Sequence, residues 1–323
     1  MKQATARACS NIAFIKYWGN QDEAIKVPVN SSISMNLDGI YTETSVRWDD
    51  TLTSDELVLN GEATTGQALN RVTEHLSFIR NRLNIKSFAS VKSVNNFPMG
   101  AGIASSASSF AALTVAAVKA TGADVSERVL TSIARLGSGS ASRSIPSGFV
   151  IWHQGNSHET SYAESFATPD YWDLVDVIAI ISGEHKAVGS RQGHTSANTS
   201  DLQNARVSGA GERLKICQNA ILSRDFVTFA DVVEYDSNLM HAVMMTSRPP
   251  LFYWLPTTLT VMDVVRHWRT NGVNVCYTLD AGPNVHCICL RADAEKVSNG
   301  LREIQGVKDV RMARVGGGAH LIE

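Results

Sequence analysis

The sequence predicts an α+β protein with two lobes. Its 323 residues suffice for two domains with separate cores. Amphipathic helical segments are mixed with short apolar strands and hairpins, without the regular strand–helix–strand order of a doubly wound sheet. A polar stretch over residues 189–200 predicts a loop between the lobes. We expect an N-terminal lobe over residues 1–184 and a C-terminal lobe over residues 185–323.

The individual elements follow from apolar periodicity and from turn residues. Thr65–Leu83, for example, carries apolar residues at helical spacing, and Asn60-Gly61 marks a tight turn. The predicted strands are Ile40–Arg47, Leu57–Leu59, Phe88–Val94, Val175–Ser182, Asn274–Leu279, Val285–Arg291 and a final strand pair within Val307–Ile322. The predicted helices are Thr65–Leu83, Ser105–Ala120, Val125–Leu136, Asp201–Ile221, Phe226–Met244, Thr257–Thr270 and Lys296–Gln305.

Composition narrows the class of protein. The formal net charge of -2 argues against broad electrostatic binding to nucleic acid or to an anionic membrane. The five cysteines are odd in number and lack zinc spacing, which favours buried, reduced thiols. The apolar stretches are shorter than a membrane span, and the N-terminus lacks the apolar run of a secretory signal. We therefore expect a soluble, cytoplasmic protein.

A glycine-rich segment, Pro98–Ala107, is typical of a loop that cradles phosphate and opens a helix. Gly100 and Gly102 allow close backbone approach, and Ser105 and Ser106 lie where the helix begins. The first helical turn has no acidic residue, which leaves the positive end of the helix dipole open to an anion. The segment fits neither the Walker nor the dinucleotide pattern, and a serine-capped core helix after a flexible loop remains the alternative.

Two arginines are candidates for anion binding. Arg143 ends the small-residue stretch Gly137–Ser142, and a guanidinium can grip a carboxylate or phosphate through two parallel hydrogen bonds. A surface linker is the alternative there. Ser190-Arg191 lies in the polar stretch, where a lone arginine is usually solvated.

A lysine and an aspartate are candidates for catalysis. Lys16 lies inside the apolar, aromatic run Asn11–Gly19, where a charge is costly unless it is paired or functional. The alternative is an edge-strand lysine whose ammonium reaches solvent. Asp280 ends an apolar strand before Gly282-Pro283, and it could instead be a turn aspartate that bonds nearby backbone. The histidines show no convincing metal-ligand spacing, although magnesium held by phosphates would need few protein ligands.

Taken together, these segments resemble the GHMP kinase superfamily and, within it, the mevalonate diphosphate decarboxylases. The resemblance spans nearly the whole chain, and the glycine-rich loop is only the shared superfamily motif. The resemblance implies a two-lobed GHMP kinase fold, with a ribosomal-S5-like N-terminal lobe and a ferredoxin-like C-terminal lobe, commonly as a homodimer. It also implies ATP, Mg²⁺ and a phosphorylated mevalonate as ligands. The segments most specific to the decarboxylases are Asn11–Gly19, Gly137–Ser144 and Asp280–Val285.

The resemblance also implies residue roles. Asp280 would act on the 3-hydroxyl as a base or an orienting group, and Lys16 would pair with it and offset charge on the reacting phosphoryl group. Arg143 would hold the substrate carboxylate. The other positions that match substrate contacts are Tyr17, Asn20, Ser138, Ser140, Ser190, Arg191 and His194. The positions that match nucleotide contacts are Ser93, Asn95, Asn96, Gly100, Gly102, Ser105 and Ser106.

The chain departs from the family pattern around the substrate. Asn20 stands where the family has a lysine that contacts the diphosphate, and His194 stands where it usually has methionine. Ile145-Pro146-Ser147 replaces an aromatic residue and a glycine. Loss of one charge-assisted contact costs about 1.5–3 kcal/mol, or roughly tenfold to a hundredfold in affinity. We therefore predict a decarboxylase of mevalonate 5-phosphate, with a standard diphosphate enzyme as the alternative.

Two further alternatives remain at this stage. A kinase that phosphorylates the 3-hydroxyl and stops would release ADP without CO2. A non-catalytic ligand-binding member is disfavoured, because Lys16, Asp280 and the glycine-rich loop are all present.

Overall fold

The computed structural model describes residues 3–97, 105–183 and 189–322, except for the side chains of residues 190 and 191. Its strands are β1 Gln3–Ile15, β2 Asn20–Asp22, β3 Val27–Pro28, β4 Ser32–Asp49, β5 Glu56–Leu59, β6 Glu62–Ala63, β7 Phe88–Asn95, β8 Phe149–Trp152, β9 Ala163–Ala167, β10 Leu174–Ile180, β11 Val275–Thr278, β12 Val285–Leu290, β13 Asp309–Arg314 and β14 His320–Ile322. Its α-helices are α1 Gly66–Leu83, α2 Ser105–Lys119, α3 Glu127–Gly137, α4 Ser190–Ser196, α5 Gln203–Ser208, α6 Ala210–Ser223, α7 Phe226–Thr246, α8 Pro256–Thr270 and α9 Ala294–Arg302. Short 3-10 segments lie at Gly139–Ser144, Ala197–Thr199 and Arg291–Asp293.

The N-terminal lobe is built on the long antiparallel pair of β1 and β4. In the described part of the chain this sheet has the order β14-β1-β4-β7-β5-β6, and β8 and β9 extend it beside the first part of β4. The alanine-rich α2 packs closely on β1 and β4, because its small side chains let the helix approach the sheet. Together with α1 and α3 it forms a core that includes Val46, Leu76, Ala116 and Ile133.

The C-terminal lobe contains a four-stranded antiparallel sheet in the order β11-β12-β10-β13. With α8 before β11 and α9 between β12 and β13, this is the connectivity and strand order of a ferredoxin-like lobe. Residues of α8 and α9, including Val261 and Val297, pack on one face of the sheet. The other face joins a core shared with β1 and α7, in which the rings of Phe14 and Phe229 meet edge to face at 4.9 Å. The α+β, two-lobed prediction is confirmed.

The position of β10 bears on the domain limits. We expected Val175–Ser182 to belong to an N-terminal lobe ending at residue 184, but β10 is a central strand of the C-terminal sheet, between β12 and β13. It is apolar along its length apart from Asp176, as expected for a strand covered on both faces. We therefore propose a division between Ala167 and Leu174.

Two predictions for the polar and helical segments were wrong. The expected loop over residues 189–200 contains the helix α4. The expected helix Asp201–Ile221 is divided into α5 and α6 at Gly209. Glycine is a poor helix former, and here a Cβ would lie 2.6 Å from the guanidinium of Arg213, which crosses this point to donate to the carbonyl of Arg206 at 2.6 Å.

The expected final strand pair was also wrong, because β13 and β14 lie in different sheets. β13 pairs with β10, and β14 pairs with β1. Between them the chain passes so close to the N-terminal lobe that a Cβ at Gly316 would lie 2.7 Å from the Asp38 amide, and one at Gly318 would lie 2.5 Å from the Ile145 carbonyl oxygen. The glycine run is therefore a close crossing between lobes rather than a hairpin turn. Among the described residues, no helix is long and apolar enough to span a bilayer.

Candidate active site

Lys16 and Asp280 meet where the two lobes join. Lys16 follows β1 and Asp280 follows β11, and the Lys16 Nζ lies 2.8 Å from the Asp280 Oδ1. The Lys16 side chain is 1% exposed and that of Asp280 is 27% exposed, so the carboxylate forms the open end of the pair. Burial alone raises the pKa of Asp280, but the charges of Lys16, His286 and Arg143 outweigh it and hold that pKa below its usual value. Asp280 is therefore a carboxylate at neutral pH.

Buried charges hold the backbone on either side of Lys16. The Lys16 amide donates to Asp236 of α7 at 2.7 Å, and the other oxygen of Asp236 accepts from Arg213 Nε at 2.6 Å. Arg206 donates to the carbonyl of Trp18 at 2.6 Å. Burial lowers the pKa of Lys16, while Asp280 and Asp236 oppose that effect. The segment is thus fixed by contacts from α5, α6 and α7.

The Asp280 loop is fixed by α7 as well. The Leu279 amide donates to Ser237 Oγ at 3.0 Å, and the Gly282 amide donates to the Asp280 carbonyl at 2.7 Å. The buried imidazole of His241 lies beside the backbone of Leu279 and Asp280, which opposes the lowering of its pKa by burial. One helix therefore positions both members of the catalytic candidate pair.

Arg143 presents a positive charge beside this pair. It lies in the 3-10 segment Gly139–Ser144, where Nη1 donates to Ser32 Oγ at 2.7 Å and Nε donates to Asn11 Oδ1 at 3.4 Å. Burial lowers its pKa to about 10, so it stays charged at neutral pH. Among the described residues, no carboxylate lies within 4.0 Å of its guanidinium. The charge of Asp280 also acts on Arg143, so the two groups lie close enough to interact electrostatically.

Serine hydroxyls form a row beside Arg143. Ser106 Oγ lies 3.1 Å from Ser138 Oγ, which lies 3.4 Å from Ser140 Oγ. Ser106 is in the first turn of α2, so the row links the start of that helix to the Arg143 segment. This short row can hydrogen-bond the oxygens of an anionic ligand.

An aromatic wall begins at Tyr17, the residue after Lys16, and packs against the Arg143 segment. The rings of Tyr17 and His194 stack with centroids 4.1 Å apart, and a Cβ at Gly139 would lie 2.5 Å from the Tyr17 ring. Burial lowers the pKa of His194 to about 3, with the charges of Arg206 and Arg143 acting in the same direction. The His194 Nδ1 accepts from the Gly19 amide at 3.0 Å, so the proton of this neutral ring is on Nε2.

Asn20 ends the aromatic wall and its amide is already engaged. Its Oδ1 accepts from the Tyr17 hydroxyl at 2.6 Å, and its Nδ2 donates to the Glu23 carboxylate at 3.0 Å. The Asn20 position therefore carries no positive charge and has a carboxylate as its neighbour. Within the described chain, no lysine or arginine lies within 4.0 Å of Glu23.

The predicted nucleotide residues lie around the start of α2. Asn95 Oδ1 accepts from Thr42 at 2.6 Å, while its buried Nδ2 has no partner among the described residues. Ser93 is hydrogen-bonded to Thr44 at 2.9 Å, and Asn96 bridges the backbone of β4, which indicates structural roles for both. Ser105 opens α2, whose first turn has no acidic residue. Gly100 and Gly102 lie outside the described residues.

The described residues contain no cluster of three or more His, Cys, Asp or Glu side chains that could hold a metal ion. The helix start with its serines and unpartnered Asn95 amide fits the phosphate end of a nucleotide. A magnesium ion here would take most of its ligands from phosphates and water. The backbone of Ser190 and Arg191 opens α4, the helix that carries His194.

Comparison with known proteins identifies the family. Residues 8–163 match the diphosphomevalonate decarboxylase-like N-terminal domain, and residues 176–317 match the mevalonate 5-diphosphate decarboxylase C-terminal domain. The diphosphomevalonate decarboxylase mvd1 of Aspergillus fumigatus is 36% identical over 94% of this chain and 81% of its own. The chain belongs to the diphosphomevalonate decarboxylase family.

Solved structures of the family share the whole fold. The mevalonate diphosphate decarboxylase of Staphylococcus aureus is 37% identical with a TM-score of 0.96, and the match covers 100% of this chain and 98% of that one. A structure described as MDDEF in complex with MVAPP, AMPPCP and magnesium is 36% identical with a TM-score of 0.94, covering 99% of both chains.

The departures from the family pattern do not all lie against the candidate ligand space. Asn20 and His194 both contact Tyr17. By contrast, the Ile145 and Pro146 carbonyls accept hydrogen bonds from Ala319 and Asn36, so that segment supports the crossing between lobes. Asn20 and His194 are thus the two departures that contact Tyr17, a predicted substrate residue.

Several residues of the site were absent from the sequence prediction. Asp236, Arg213, His241 and Asn11 position the predicted residues, and Glu23 changes the charge beside Asn20. Asn11 and His241 lie inside segments that carry the resemblance, which was a usable signal. Asp236 and Arg213 are 23 residues apart on separate helices, and no local pattern indicates that they meet.

Proposed function

We propose that this protein catalyses the ATP-dependent decarboxylation of mevalonate 5-phosphate to isopentenyl phosphate, CO2, ADP and phosphate. The observation that carries the decarboxylase part is the buried Lys16–Asp280 pair, 2.8 Å apart, with the charged Arg143 close enough to interact with it electrostatically. The observation that carries the monophosphate part is Asn20, an uncharged residue bonded to Glu23, at the position where the family has a diphosphate-contacting lysine.

In the proposed reaction, Asp280 orients the tertiary 3-hydroxyl and accepts its hydrogen bond. Lys16 holds one oxygen of that carboxylate, so that the other oxygen is directed toward the ligand. Lys16 also offsets negative charge on the reacting phosphoryl group. A tertiary alcohol is a poor leaving group, so its phosphorylation has to precede elimination. The pair acts at this first step.

Arg143 acts on the carboxylate of the substrate. Departure of the 3-phosphate leaves positive character at carbon 3, and the electron pair of the breaking carbon–carbon bond forms the alkene as CO2 leaves. Arg143 holds the carboxylate in line for this step. Ser138 and Ser140 extend the polar wall next to it and complete the hydrogen bonding of the bound anion.

ATP supplies the phosphoryl group as co-substrate, and Mg²⁺ neutralises its phosphate charge. Ser105, Ser106 and the amides at the start of α2 would bind the phosphates, and Asn95 would use its unpartnered Nδ2. We assign Ser93 and Asn96 a supporting role there, because their side chains bond the backbone and Thr44. Gly100 and Gly102 remain nucleotide residues by resemblance alone.

The 5-phosphate end is proposed to lie against Tyr17, His194, Ser190 and Arg191. His194 offers a neutral Nε2–H donor, which adds a hydrogen bond without adding positive charge. A second phosphate near Asn20 would meet the Glu23 carboxylate, and no cation among the described residues compensates it. These features favour a ligand with one phosphate fewer.

The second candidate is the standard reaction on mevalonate 5-diphosphate, and the names of the relatives favour it. Steady-state kcat/KM with mevalonate, its 5-phosphate and its 5-diphosphate separates the candidates when ADP and CO2 are both followed. Higher kcat/KM for the monophosphate, with equal ADP and CO2, is the expected result. Clearly more efficient turnover of the diphosphate overturns the monophosphate assignment, and ADP without CO2 indicates a kinase instead.

The Asn20→Lys variant tests the specificity argument directly. Restoring one charge-assisted contact should raise affinity for the diphosphate roughly tenfold to a hundredfold while changing kcat/KM for the monophosphate much less. Gln21→Lys is the matched control, since Gln21 is the exposed neighbour and donates to Gly155. If Asn20→Lys and Gln21→Lys raise affinity for the diphosphate equally, then added positive charge in general, and not the residue at position 20, sets the substrate preference.

Assembly and location are proposals as well. The resemblance implies a homodimer, which light scattering on the purified protein would report as twice the chain mass of 35.0 kDa. A cytoplasmic location is expected from the cysteine pattern given above, and the absence of nucleic-acid and membrane partners is expected from the charge balance and the short apolar stretches.

A further inference from the structure

A second buried pair of charged side chains lies in the C-terminal sheet. The His286 Nδ1 of β12 is 2.6 Å from the Asp176 Oδ2 of β10, and these side chains are 2% and 0% exposed. In the register, Asp176 pairs with Ile288 and His286 pairs with Ile178. The two side chains are therefore diagonal neighbours on one face of the sheet.

That face is the one directed toward the shared core and the active site. Side chains on successive strand residues point to opposite faces of the sheet. Ile178, Cys276 and Ile288 share the face of this pair and belong to the core that includes Phe14. Thr278 pairs with His286 across the strands, and Asp280 follows Thr278 two residues later. Asp176, His286 and Asp280 thus form a row of titratable groups across the inner face.

Burial of such a pair is unfavourable unless it serves a purpose. Removing a carboxylate and an imidazole from water is costly, and apolar residues of similar volume often stabilise a core as well or better. Asp176 Oδ1 and His286 Nε2 have no hydrogen-bond partner among the described residues, so no wider network explains the pair. The 2.6 Å contact between His286 Nδ1 and Asp176 Oδ2 has the length of a charge-assisted hydrogen bond.

The charge of this imidazole acts on Asp280. His286 follows Lys16 among the charges that lower the pKa of Asp280, ahead of Arg143. The titratable groups around Asp280 are Lys16 after β1, Arg143 of the 3-10 segment, His241 of α7 and His286 of β12. Those around His286 are Asp176 on β10, which contacts it, and Asp280, whose pKa it lowers.

We propose that the Asp176–His286 pair is a positioning element that places a positive imidazolium behind Asp280 and keeps its carboxylate ionised and directed toward Lys16. Asp176 holds the proton on His286, and His286 opposes protonation of Asp280 from the side away from the ligand. The inference rests on the proposed function only in taking Asp280 as the group that acts on substrate.

The test asks whether residue 286 affects the titration of Asp280 through its charge or through its packing. His286→Asn keeps a donor for Asp176 without the positive charge, whereas His286→Lys keeps a positive charge. Carbon-13 titration of the Asp280 carboxyl, assigned by loss of its signal in Asp280→Asn, reads the effect in the protein without substrate. We expect its midpoint to move to higher pH in His286→Asn and to stay near wild type in His286→Lys.

The pH profile of kcat/KM provides the second readout. His286→Asn should lose roughly threefold to tenfold more activity on the acid side than at neutral pH. Asp176→Asn, which keeps an acceptor for Nδ1, should act in the same direction. His75→Gln is the control, because it removes another buried imidazole, hydrogen-bonded to Thr114 in the N-terminal core, and should not move the Asp280 midpoint.

Two outcomes overturn the proposal. The Asp280 midpoint could be unchanged in both His286→Asn and Asp176→Asn, or it could move equally in the asparagine and lysine variants of His286, which would indicate packing alone. A moved midpoint with an unmoved pH profile supports the pair and instead contradicts the role given to Asp280 in the proposed function.

Discussion

Lys16 and Asp280 differ in exposure, and this difference assigns their parts. The lysine is almost fully buried while the carboxylate is partly open, so in the proposed reaction the lysine supplies the charge and the aspartate contacts the ligand. A buried ammonium without its carboxylate, or the reverse, leaves an uncompensated charge. The pair is therefore sensitive to loss of either member.

Lys16→Met should lower kcat by about a hundredfold to a thousandfold, because a preorganised charge at the reacting group is lost. Both ADP and CO2 release should fall together in a steady-state assay. Lys119→Met is the control, since Lys119 forms only a surface pair with Asp124 at 3.8 Å and should keep wild-type activity. Retention of more than a tenth of the activity in Lys16→Met would contradict the assignment.

The Arg143→Lys variant tests whether residue 143 binds the substrate carboxylate through two parallel hydrogen bonds or through charge alone. Lysine keeps the charge but not the planar fork, so kcat/KM should fall roughly tenfold to a hundredfold, mostly through KM if Arg143 contributes to substrate binding. Arg135→Lys serves as the comparison, because Arg135 is also buried but donates to the Ile25 carbonyl away from the Lys16–Asp280 pair. An unchanged KM in Arg143→Lys would place the substrate carboxylate elsewhere.

At the scale of elements, α7 joins the two catalytic candidates. Asp236 accepts a hydrogen bond from the Lys16 amide and Ser237 accepts one from the Leu279 amide, while His241 lies beside the backbone of the Asp280 loop. Consecutive turns of one helix thus hold segments that are 264 residues apart in the chain. A change in α7 should affect both stability and catalysis.

Asp236→Asn should destabilise the protein by about 3–5 kcal/mol, because it leaves the buried Arg213 charge unpaired. Urea unfolding gives the free energy, and the midpoint should fall without a change in slope. Asp225→Asn is the control on the same helix, where the carboxylate is an exposed cap that accepts from Val227 and Thr228. If Asp236→Asn lowers the free energy of unfolding no more than Asp225→Asn does, the Asp236–Arg213 pair does not stabilise the fold as proposed.

At the scale of the whole molecule, buried neutral histidines set the response to acid. Burial lowers the pKa of His75 and of His241 to about 3, and the same holds for His194. In the unfolded chain these groups take up protons below about pH 6.5, whereas in the folded chain they do so only near pH 3. The unfolded state therefore binds more protons throughout this window, and folding stability decreases as pH falls.

The free energy of unfolding should fall between pH 6 and 4 by up to about 1.4 kcal/mol per pH unit for each of these histidines. Denaturant unfolding at several pH values gives this slope. His75→Gln should reduce this slope by the contribution of one histidine. His153→Gln, which removes the exposed partner of Glu164, should leave the slope nearly unchanged. A slope that does not respond to His75→Gln would contradict the neutral state of that buried ring.

The sequence by itself determined the fold class and most helices, and it indicated the residues of the candidate catalytic pair. Apolar periodicity is local, so α1, α2 and α7 begin and end near their predicted limits. Lys16, Asp280 and Arg143 were found through segments that resemble one family, and their proximity agrees with that resemblance.

Only the tertiary structure decided the contacts between distant segments. The placement of β10 and β14, the helix within residues 189–200 and the Asp176–His286 pair depend on which strands and helices become neighbours. Side chains that alternate along a strand show which face they share but not what lies across from them. Burial, and with it the charge state of the buried histidines, is settled only when the helices and strands around each ring pack together, within the N-terminal core for His75 and beside Tyr17 for His194.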